Sequence, residues 1–415
     1  MQKVYFKTFG CRTNQFDTQI MMSKLQDFSV TKSEEESTII IVNSCTVTNG
    51  ADSSVRGYIN SIERKYPDKK IILAGCGSHS KGESLFESKK VFGVIGHSEK
   101  ENINEIIKTP QRFYQIGDLK HIDSTIVEEF VGKSRAFIKI QEGCDFRCSY
   151  CIIPFVRGDA RSHNEETILR QIEKLANNGF GEFILTGTNV GSYGREHGSS
   201  VATLLKKMSQ IRGVRRIRMG SLEPIQIDDE FKELLLEPWM ARHLHIALQH
   251  TSDRMLELMN RRNRYHSDRE LFEEIASKGY ALGTDYIVGH PGEGAKEWSQ
   301  AIERVQSLPL THIHAFSYSK RDGTVSATMK EVVRGDRAKQ RHKELTQIIK
   351  EKNYLFRKEH SHNLEVLLES GKEGIYQGFD QYFNRVSVAS DDDLSSNWVL
   401  LNQMEVTHEE SKAKL

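Results

Sequence analysis

The stretch AFIKIQEGCDFRCSYCIIP, residues 136–154, joins a predicted strand to three closely spaced cysteines, and the rest of the fold is arranged around it. Its first eight residues indicate a strand. Cys144, Cys148 and Cys151 follow at the spacing C-x3-C-x2-C, although the chain of 415 residues has only 6 cysteines. A structural zinc site normally has four ligands, so three thiols leave one coordination position to be explained.

Downstream of this stretch, helical and strand-like segments alternate about five times. The strand-like segments are FGEFILTG, VRRIRMGSL, HLHIALQ, YALGTDYIVG and HIHAFSYS. Together with the opening strand they predict a partial barrel of the (β/α)6 kind, less completely closed than an eight-stranded one. A doubly wound open sheet is the alternative topology.

The first 117 residues carry a similar alternation and the other three cysteines. The strand-like runs KVYFKTF, STIIIVNS and KKIILAG predict a parallel sheet with helices on its faces. Cys11, Cys45 and Cys76 each follow one of these runs. Because the carboxyl ends of parallel strands meet at one edge of a sheet, we expect a shared metal site there. Burial as three small apolar side chains is the alternative.

The remainder of the chain divides at changes of composition. Residues 118–129, DLKHIDSTIVEE, are polar and predict a linker, and a long basic helical segment follows Ser319. From Asn363 onward, short apolar runs separated by Gly, Asp and Ser predict a small antiparallel β-barrel. The predicted α/β chain therefore has domains at residues 1–117, 130–355 and 356–415.

Charge and hydropathy narrow the class of protein. The 58 Lys and Arg residues nearly balance the 57 Asp and Glu residues, so contact with nucleic acid must depend on local patches. No signal-peptide pattern or long apolar stretch is present, so we expect a cytoplasmic protein with no membrane contact and no disulfides. Two arginine groups are candidates for phosphate contact: Arg212, Arg215, Arg216 and Arg218, and Arg261, Arg262 and Arg264.

The cysteine motif, with Tyr150 just before its last cysteine, resembles the signature of radical S-adenosylmethionine enzymes. In that family three cysteines hold a 4Fe-4S cluster, and the iron that they leave free chelates S-adenosylmethionine. Reduction then gives a 5′-deoxyadenosyl radical. Zinc is the alternative metal, although the nearest further ligand, His163, lies some twelve residues away.

The N-terminal segments narrow the resemblance to the methylthiotransferases. TFGCRTNQFDT, IVNSCTVTN and LAGCGSHS resemble the domain in which three further cysteines bind a second 4Fe-4S cluster, and the C-terminal segment resembles a TRAM domain. GCRTNQFDT and LTGTNVGSYG, residues 185–194, are similar to the branch that modifies N6-threonylcarbamoyladenosine beside the tRNA anticodon. Isopentenyladenosine in tRNA and an aspartate of a ribosomal protein are the alternative substrates of the family.

The resemblance and the strand-end positions together predict the cofactor contacts. Tyr150 and Gly289 are expected near the adenine, while Gly187, Asn189, Glu223 and Gln249 end predicted strands where ligand sites concentrate. His243, His245, His312 and His314 alternate along strands and are expected to be packed rather than catalytic. No catalytic residue is predicted beyond the cluster ligands.

The implied partners are tRNA, S-adenosylmethionine and a reductant such as flavodoxin or ferredoxin. Outside this class, the alternative is an RNA-binding protein whose iron-sulfur clusters are not catalytic. A radical enzyme acting on a small molecule is a further alternative. That function would not explain the N-terminal cysteines or the C-terminal segment.

Overall fold

The structure, a computed structural model, describes residues 1–127, 130 and 133–415. The N-terminal part is an α/β unit with one sheet. Its elements are β1 (Gln2–Thr8), α1 (Arg12–Lys24), β2 (Phe28–Thr31), β3 (Ile39–Ser44), α2 (Asn49–Lys65), β4 (Lys70–Gly75), α3 (Cys76–Glu87), β5 (Gly93–Ile95), α4 (Ile103–Ile106) and β6 (Phe113–Gln115).

The N-terminal sheet is parallel throughout, in the order β2-β1-β3-β4-β5-β6, as the sequence predicts. Every residue of β3, IIIVNS, is buried, because helices cover both faces of the sheet and a β-branched run fits such a strand. On α1, Phe16 and Ile20 pack into the core of the following region rather than under the sheet alone. These contacts pack the middle of α1 against the core of the region that follows.

The central part continues the helix and strand alternation. Its elements are β7 (Ala136–Glu142), α5 (Ile153–Arg157), β8 (Arg161–Ser162), α6 (Glu165–Asn177), β9 (Glu182–Gly187), α7 (Val201–Ser209), β10 (Arg216–Arg218), α8 (Asp229–Glu233), β11 (His243–His245), α9 (Asp253–Leu258), α10 (Tyr265–Ser277), β12 (Ala281–Val288), α11 (Ala295–Ser307), β13 (His312–Ser317) and α12 (Gly335–Glu359).

The parallel strands of this region follow one another in chain order: β7, β9, β10, β11, β12, β13. Between β10 and β11 the connection is looser, through parallel bridges such as Leu222 to Ile246. β8 adds a short antiparallel strand on the other edge of β7. A doubly wound sheet would reverse its order at the first strand, so that alternative is wrong.

The C-terminal part is a curled sheet of six strands: β14 (Leu364–Leu368), β15 (Ile375–Phe379), β16 (Arg385–Ala389), β17 (Trp398–Leu401), β18 (Glu405–Val406) and β19 (Ser411–Lys414). The sequence predicts a purely antiparallel barrel. The pairing is instead mixed, because β19 returns beside β16 in parallel, and the hydrogen-bonded order is the linear β17-β14-β15-β16-β19-β18.

The predicted linker is not a simple solvated connection. Asp123 and Val127 are 5% and 2% exposed, and Val127 belongs to the central core. Asp123 is buried because the ammonium groups of Lys100 and Lys139 contact its carboxylate. Residues 128 and 129, at the end of the predicted linker, lie outside the described residues.

Two of the arginines predicted to contact phosphate instead join the central and C-terminal sheets. Arg216 and Arg218 are 3% and 2% exposed and both bond to the buried carboxylate of Glu182, at 2.5 and 2.9 Å. Their other nitrogens donate to carbonyls of the C-terminal sheet, including Glu365 O at 2.8 Å. The prediction is wrong for this pair, because burial against the sheet removes both guanidinium groups from solvent.

No helix among the described residues combines the length and the apolar character needed to cross a bilayer.

Candidate functional site

The motif cysteines lie in a loop between β7 and α5 that backbone hydrogen bonds hold in place. Cys144 N donates to Gly158 O at 3.0 Å, and Cys151 N donates to Cys148 O at 3.1 Å. Between them, Ser149 is buried; its amide donates to Met259 O and its hydroxyl to Leu258 O. The loop is therefore fastened both to its own return segment and to the end of α9.

All three thiols line one cavity of about 310 Å³, which we call the motif cavity. Among the described residues, its lining includes no histidine and no cysteine besides these three. Three thiolates with an open fourth position are the donor set of a cluster that leaves one iron free, whereas a closed zinc site needs a fourth ligand. The residues present therefore fit the 4Fe-4S cluster that the resemblance implies.

Polar side chains surround these sulfurs. Asn189 Nδ2 lies 3.7 Å from Cys144 Sγ, and Arg261 Nη1 lies 3.7 Å from Cys148 Sγ. The guanidinium of Arg261 is also paired with Glu223, with Nη1 to Oε1 at 2.8 Å, and Gln226 Nε2 donates to Asn189 Oδ1 at 2.8 Å. Arg261, predicted as a phosphate contact, is instead 5% exposed inside the site.

Of the predicted cofactor contacts, Tyr150, Asn189, Glu223 and Gln249 all line the motif cavity. The backbone of Gln249 has φ of +65°, which is costly for a residue with a side chain, and it is clamped between Asp285 O and the amide of Ile287. Such strain is typical of positions held for function.

The two predicted glycines are placed differently. Gly187 lines a second cavity rather than the motif cavity, and an added Cβ would approach Gln141 O to 2.8 Å. Gly289 lies in neither cavity, and an added Cβ would approach Ala338 Cβ of α12 to 2.9 Å. Close packing against α12 therefore accounts for a glycine at position 289.

The N-terminal cysteines meet at the carboxyl edge of the first sheet. β1, β3 and β4 are adjacent strands, and Cys11, Cys45 and Cys76 follow their ends. Gly10, with φ of +97°, allows this approach, because a Cβ there would lie 2.6 Å from Cys45 Cβ.

These three cysteines line the second cavity, of about 610 Å³, which we call the sheet-edge cavity. It adjoins the motif cavity, and five residues belong to the walls of both: Val47, Ile153, Thr188, Ser221 and Asp285. A ligand at this boundary could contact groups bound at both cysteine triads.

Burial raises the pKa of Cys45 to about 11 and that of Cys151 to about 12. Neutral thiols are therefore favoured until a metal centre supplies positive charge nearby. The three N-terminal thiols, of which Cys45 and Cys76 are buried and Cys11 is exposed, line one cavity and thus also fit an iron-sulfur cluster.

Arg157, at the end of α5, connects the two triads. Its side chain is 2% exposed, and Nε donates to Cys76 Sγ at 3.2 Å. Nη1 donates to Glu142 at 2.7 Å, while Nη2 donates to Asn14 at 2.6 Å and to Asp17 at 2.9 Å. The helix that follows the motif cysteines thus ends in a cation at an N-terminal thiol.

Arg157 belongs to a buried ionic cluster of three acids and three bases: Asp17, Asp123, Glu142, Lys100, Lys139 and Arg157. Burial alone would raise the pKa of Glu142, but Lys100, Lys139 and Arg157 hold it well below its usual range. Removal of one member leaves the buried cluster with an unbalanced charge, which is strongly destabilising.

The histidines of β11 and β13 all line the sheet-edge cavity. His245 Nε2 and His314 Nδ1 lie 3.0 and 3.4 Å from Asp285 Oδ1, and the two rings stack at 4.6 Å. His243 and His312 meet edge to face at 4.9 Å. These histidines are packed against one another, as predicted. The alternation of residues along a strand does not predict that they line a cavity.

Sequence reasoning did not identify Arg12, Arg157 and Asp285 as site residues. Asp285 is close to the predicted positions only in space, Arg12 directly follows Cys11, and Arg157 ends the short helix that follows the motif. Burial and the neighbouring Arg218 and Arg135 lower the pKa of Arg12 to about 10. A basic residue directly after Cys11 was the one local signal.

Two family models match the chain, one described as uncharacterized protein family UPF0004 over residues 3–96 and one as the radical SAM superfamily over residues 138–305. Among solved structures, the radical S-adenosylmethionine methyltransferase TsrM from Kitasatospora setae is similar, with a TM-score of 0.61 and 14% identity. That match covers 79% of this chain and 77% of TsrM, and it indicates a shared fold.

Curated relatives are more similar in sequence than this structure. A Helicobacter pylori protein named as a candidate methylthiotransferase is 53% identical over 100% of both chains. The threonylcarbamoyladenosine tRNA methylthiotransferase MtaB of Aquifex aeolicus is 33% identical over 79% of this chain and 83% of its own. The tRNA-2-methylthio-N(6)-dimethylallyladenosine synthase of Pseudothermotoga lettingae is 32% identical over 95% and 94%.

Proposed function

The chain belongs to the radical S-adenosylmethionine methylthiotransferase family, and on that premise we propose that it converts N6-threonylcarbamoyladenosine, 3′ of the tRNA anticodon, to its 2-methylthio derivative. The observation that carries the proposal is the meeting of two cysteine triads at adjoining cavities with five shared wall residues. A transfer of sulfur and methyl to a carbon needs radical formation and a sulfur carrier close together, and this arrangement supplies both places.

In this proposal Cys144, Cys148 and Cys151 hold the radical-generating 4Fe-4S cluster. When bound, that cluster supplies the electron that splits S-adenosylmethionine and so gives the 5′-deoxyadenosyl radical. Asn189 and Arg261 lie beside the cysteine sulfurs and orient them. The walls of the motif cavity hold the target carbon close and exclude water.

Tyr150, Glu223 and Gln249 are proposed to contact S-adenosylmethionine within the motif cavity. Gly187 is proposed to allow close approach of a ligand on the sheet-edge side. Cys11, Cys45 and Cys76 are proposed to hold a second 4Fe-4S cluster that carries the sulfur. Arg157 would stabilise negative charge there through its contact with Cys76.

The relatives named for the two tRNA substrates are almost equally similar, at 33% and 32% identity, so identity does not favour either branch. Two features support the threonylcarbamoyl substrate. One is the likeness of GCRTNQFDT and LTGTNVGSYG to that branch. The other is the polar wall of the sheet-edge cavity, where Arg12, Arg218 and four histidines would suit a charged substituent better than an isopentenyl group.

We further infer that the six consecutive parallel strands form a partial (β/α)6 barrel that opens on the motif cavity. tRNA is the proposed macromolecular partner, and a reductant such as flavodoxin or ferredoxin delivers the electron. The TRAM-like C-terminal sheet, joined to the central sheet through Arg216 and Arg218, is proposed to help position the RNA.

Mass spectrometry of tRNA nucleosides from a deletion strain tests the substrate. We expect 2-methylthio-threonylcarbamoyladenosine to disappear and threonylcarbamoyladenosine to accumulate, with recovery on complementation by the wild type. A strain complemented with Cys148→Ser should stay deficient. Persistence of the 2-methylthio nucleoside, with loss of its isopentenyl counterpart instead, would assign the other branch.

A further inference from the structure

Arg12 occupies an unusual position at the wall of the sheet-edge cavity. It is the first residue of α1, directly after Cys11, and lines the cavity together with Arg218. The two guanidinium carbons lie 5.3 and 5.1 Å from the ring centre of Phe383, which the C-terminal sheet contributes to the same wall. Two cations therefore flank one aromatic ring at the place where the three domains meet.

The two arginines differ in their partners. The nitrogens of Arg218 all have hydrogen-bond acceptors. Its Nε donates to Glu182 at 2.9 Å, and its terminal nitrogens donate to the carbonyls of Asp380 and Gln381. Arg12 makes no hydrogen bond or ion pair with any of the described residues; its contact is with the face of Phe383. A half-buried guanidinium with five donors is thus left facing the cavity.

Another residue that lines the sheet-edge cavity, His243, provides a second, independent observation. His243 is 7% exposed, and its Nε2 has no hydrogen-bond partner among the described residues. A buried polar nitrogen without a partner costs free energy unless a ligand or water satisfies it. Both Arg12 and His243 therefore present unused hydrogen-bonding capacity to one space.

The charge of this cavity is also unbalanced. Of the described residues that line it, Asp285 is the one carboxylate, and it is already engaged by His245 and His314. Arg157 is likewise neutralised by Asp17 and Glu142. Arg12 is thus the arginine of this wall that has no carboxylate partner among the described residues, and its guanidinium is free to pair with an anionic ligand.

We propose that Arg12, assisted by His243, binds the carboxylate of the threonyl group on the substrate base and thereby selects that substrate against isopentenyladenosine. This inference rests on the proposed function. Threonylcarbamoyladenosine ends in a free carboxylate, whereas the isopentenyl group is a hydrocarbon. A guanidinium gains charge-assisted hydrogen bonds from the first, and loses water without compensation beside the second. Sites built for a polar group reject analogues that lack it most strongly.

Binding of anticodon stem-loop RNAs to the anaerobically reconstituted protein tests the assignment. The RNAs carry threonylcarbamoyladenosine, its carboxylate methyl ester, or isopentenyladenosine, and fluorescence anisotropy gives each Kd. With the wild type, we expect the free acid to bind about tenfold or more tighter than the ester or the isopentenyl RNA. The ester alters the ligand alone, so this comparison needs no protein variant.

Arg12→Gln should bring the ratio of acid to ester affinity close to one, and Arg12→Lys should retain part of it. Arg64→Gln, which removes an exposed arginine of α2, is the control for loss of charge and should keep the full ratio. Iron content is compared across variants, since Arg12 adjoins Cys11.

If the wild type prefers the acid and Arg12→Gln prefers it equally, the role of Arg12 is overturned while the proposed function stands. If the wild type prefers the isopentenyl RNA, the proposed substrate and the carboxylate pocket are both overturned.

Discussion

Arg157 Nε donates a hydrogen bond to Cys76 Sγ at 3.2 Å, although the two residues are 81 positions apart in the chain. The arginine ends the helix that begins two residues after the last motif cysteine, and the cysteine begins α3 of the N-terminal unit. The helix that follows the motif cysteines therefore places a positive charge beside a cysteine of the N-terminal triad.

Replacement of Arg157 should change the properties of the N-terminal cluster. A nearby cation favours the reduced, more negative state, so Arg157→Gln should lower the reduction potential by an amount on the order of tens of millivolts. It should also destabilise the fold by about 3–5 kcal/mol, because Asp17 and Glu142 lose a buried partner. An EPR-monitored redox titration measures the first effect and thermal unfolding the second. Arg170→Gln, at an exposed site of α6, is the control; an unchanged potential in Arg157→Gln would refute the electrostatic role.

The two cysteine triads should be separable by substitution. Cys148→Ser should remove about four iron atoms per chain and abolish formation of 5′-deoxyadenosine. Cys76→Ser should lose a similar amount of iron but still split S-adenosylmethionine, without methylthiolated product. Iron analysis measures the loss of each cluster, and chromatography of the nucleosides measures 5′-deoxyadenosine and the methylthiolated product. Equal loss of 5′-deoxyadenosine in the two variants, with iron retained at the other triad, would contradict separate roles.

Glu182 should be a major stabilising residue between the central and C-terminal sheets. Its carboxylate is 0% exposed and faces Arg135, Arg216 and Arg218. Burial opposes ionisation, but the three arginines lower the pKa of Glu182 to about 2, so it is charged at neutral pH. Glu182→Gln removes the buried negative charge that the three arginines share and should cost about 3–5 kcal/mol in the free energy of unfolding. Chemical denaturation of the variant and the wild type measures this difference in the free energy of unfolding. Glu166→Gln, at an exposed position of α6, should have little effect. Equal stability of Glu182→Gln and the wild type would show that this ionic cluster is not stabilising.

Asp380 should make stability depend on pH in the opposite direction from a salt-bridged acid. Burial raises the pKa of Asp380 to about 6, above its unfolded value near 4. The folded state therefore binds the extra proton, and stability declines as pH rises from about 4 to 6. Asp380→Asn, which keeps an acceptor for the amides of Tyr382 and Asn384, should weaken that decline. Melting temperatures between pH 4 and 6 provide the measurement, and the same pH dependence in the wild type and in Asp380→Asn would contradict the assignment.

The order of elements could be predicted from the sequence because strand and helix periodicities are local. The strands that precede Cys11, Cys45 and Cys76 are predicted from short apolar runs, and their parallel pairing brings the residues after them to one edge. The return of β19 beside β16 could not be predicted, because strand direction within a small sheet depends on the path of connecting segments.

The burial of charged residues was the main part that the sequence did not reveal. Arg216, Arg218 and Arg261 have the same local pattern as surface arginines, and only the positions of Glu182 and Glu223 in space explain why they are buried. In the same way, Asp123 lies in a polar segment whose composition indicates solvent, yet two lysines from distant segments hold it inside.

The most direct test of the account is a single-turnover assay of the reconstituted, reduced protein with S-adenosylmethionine and an anticodon stem-loop that carries threonylcarbamoyladenosine. The account predicts 5′-deoxyadenosine together with the 2-methylthio nucleoside in the same reaction. A protein that contains zinc without iron, or one that binds the RNA and forms neither product, would contradict it.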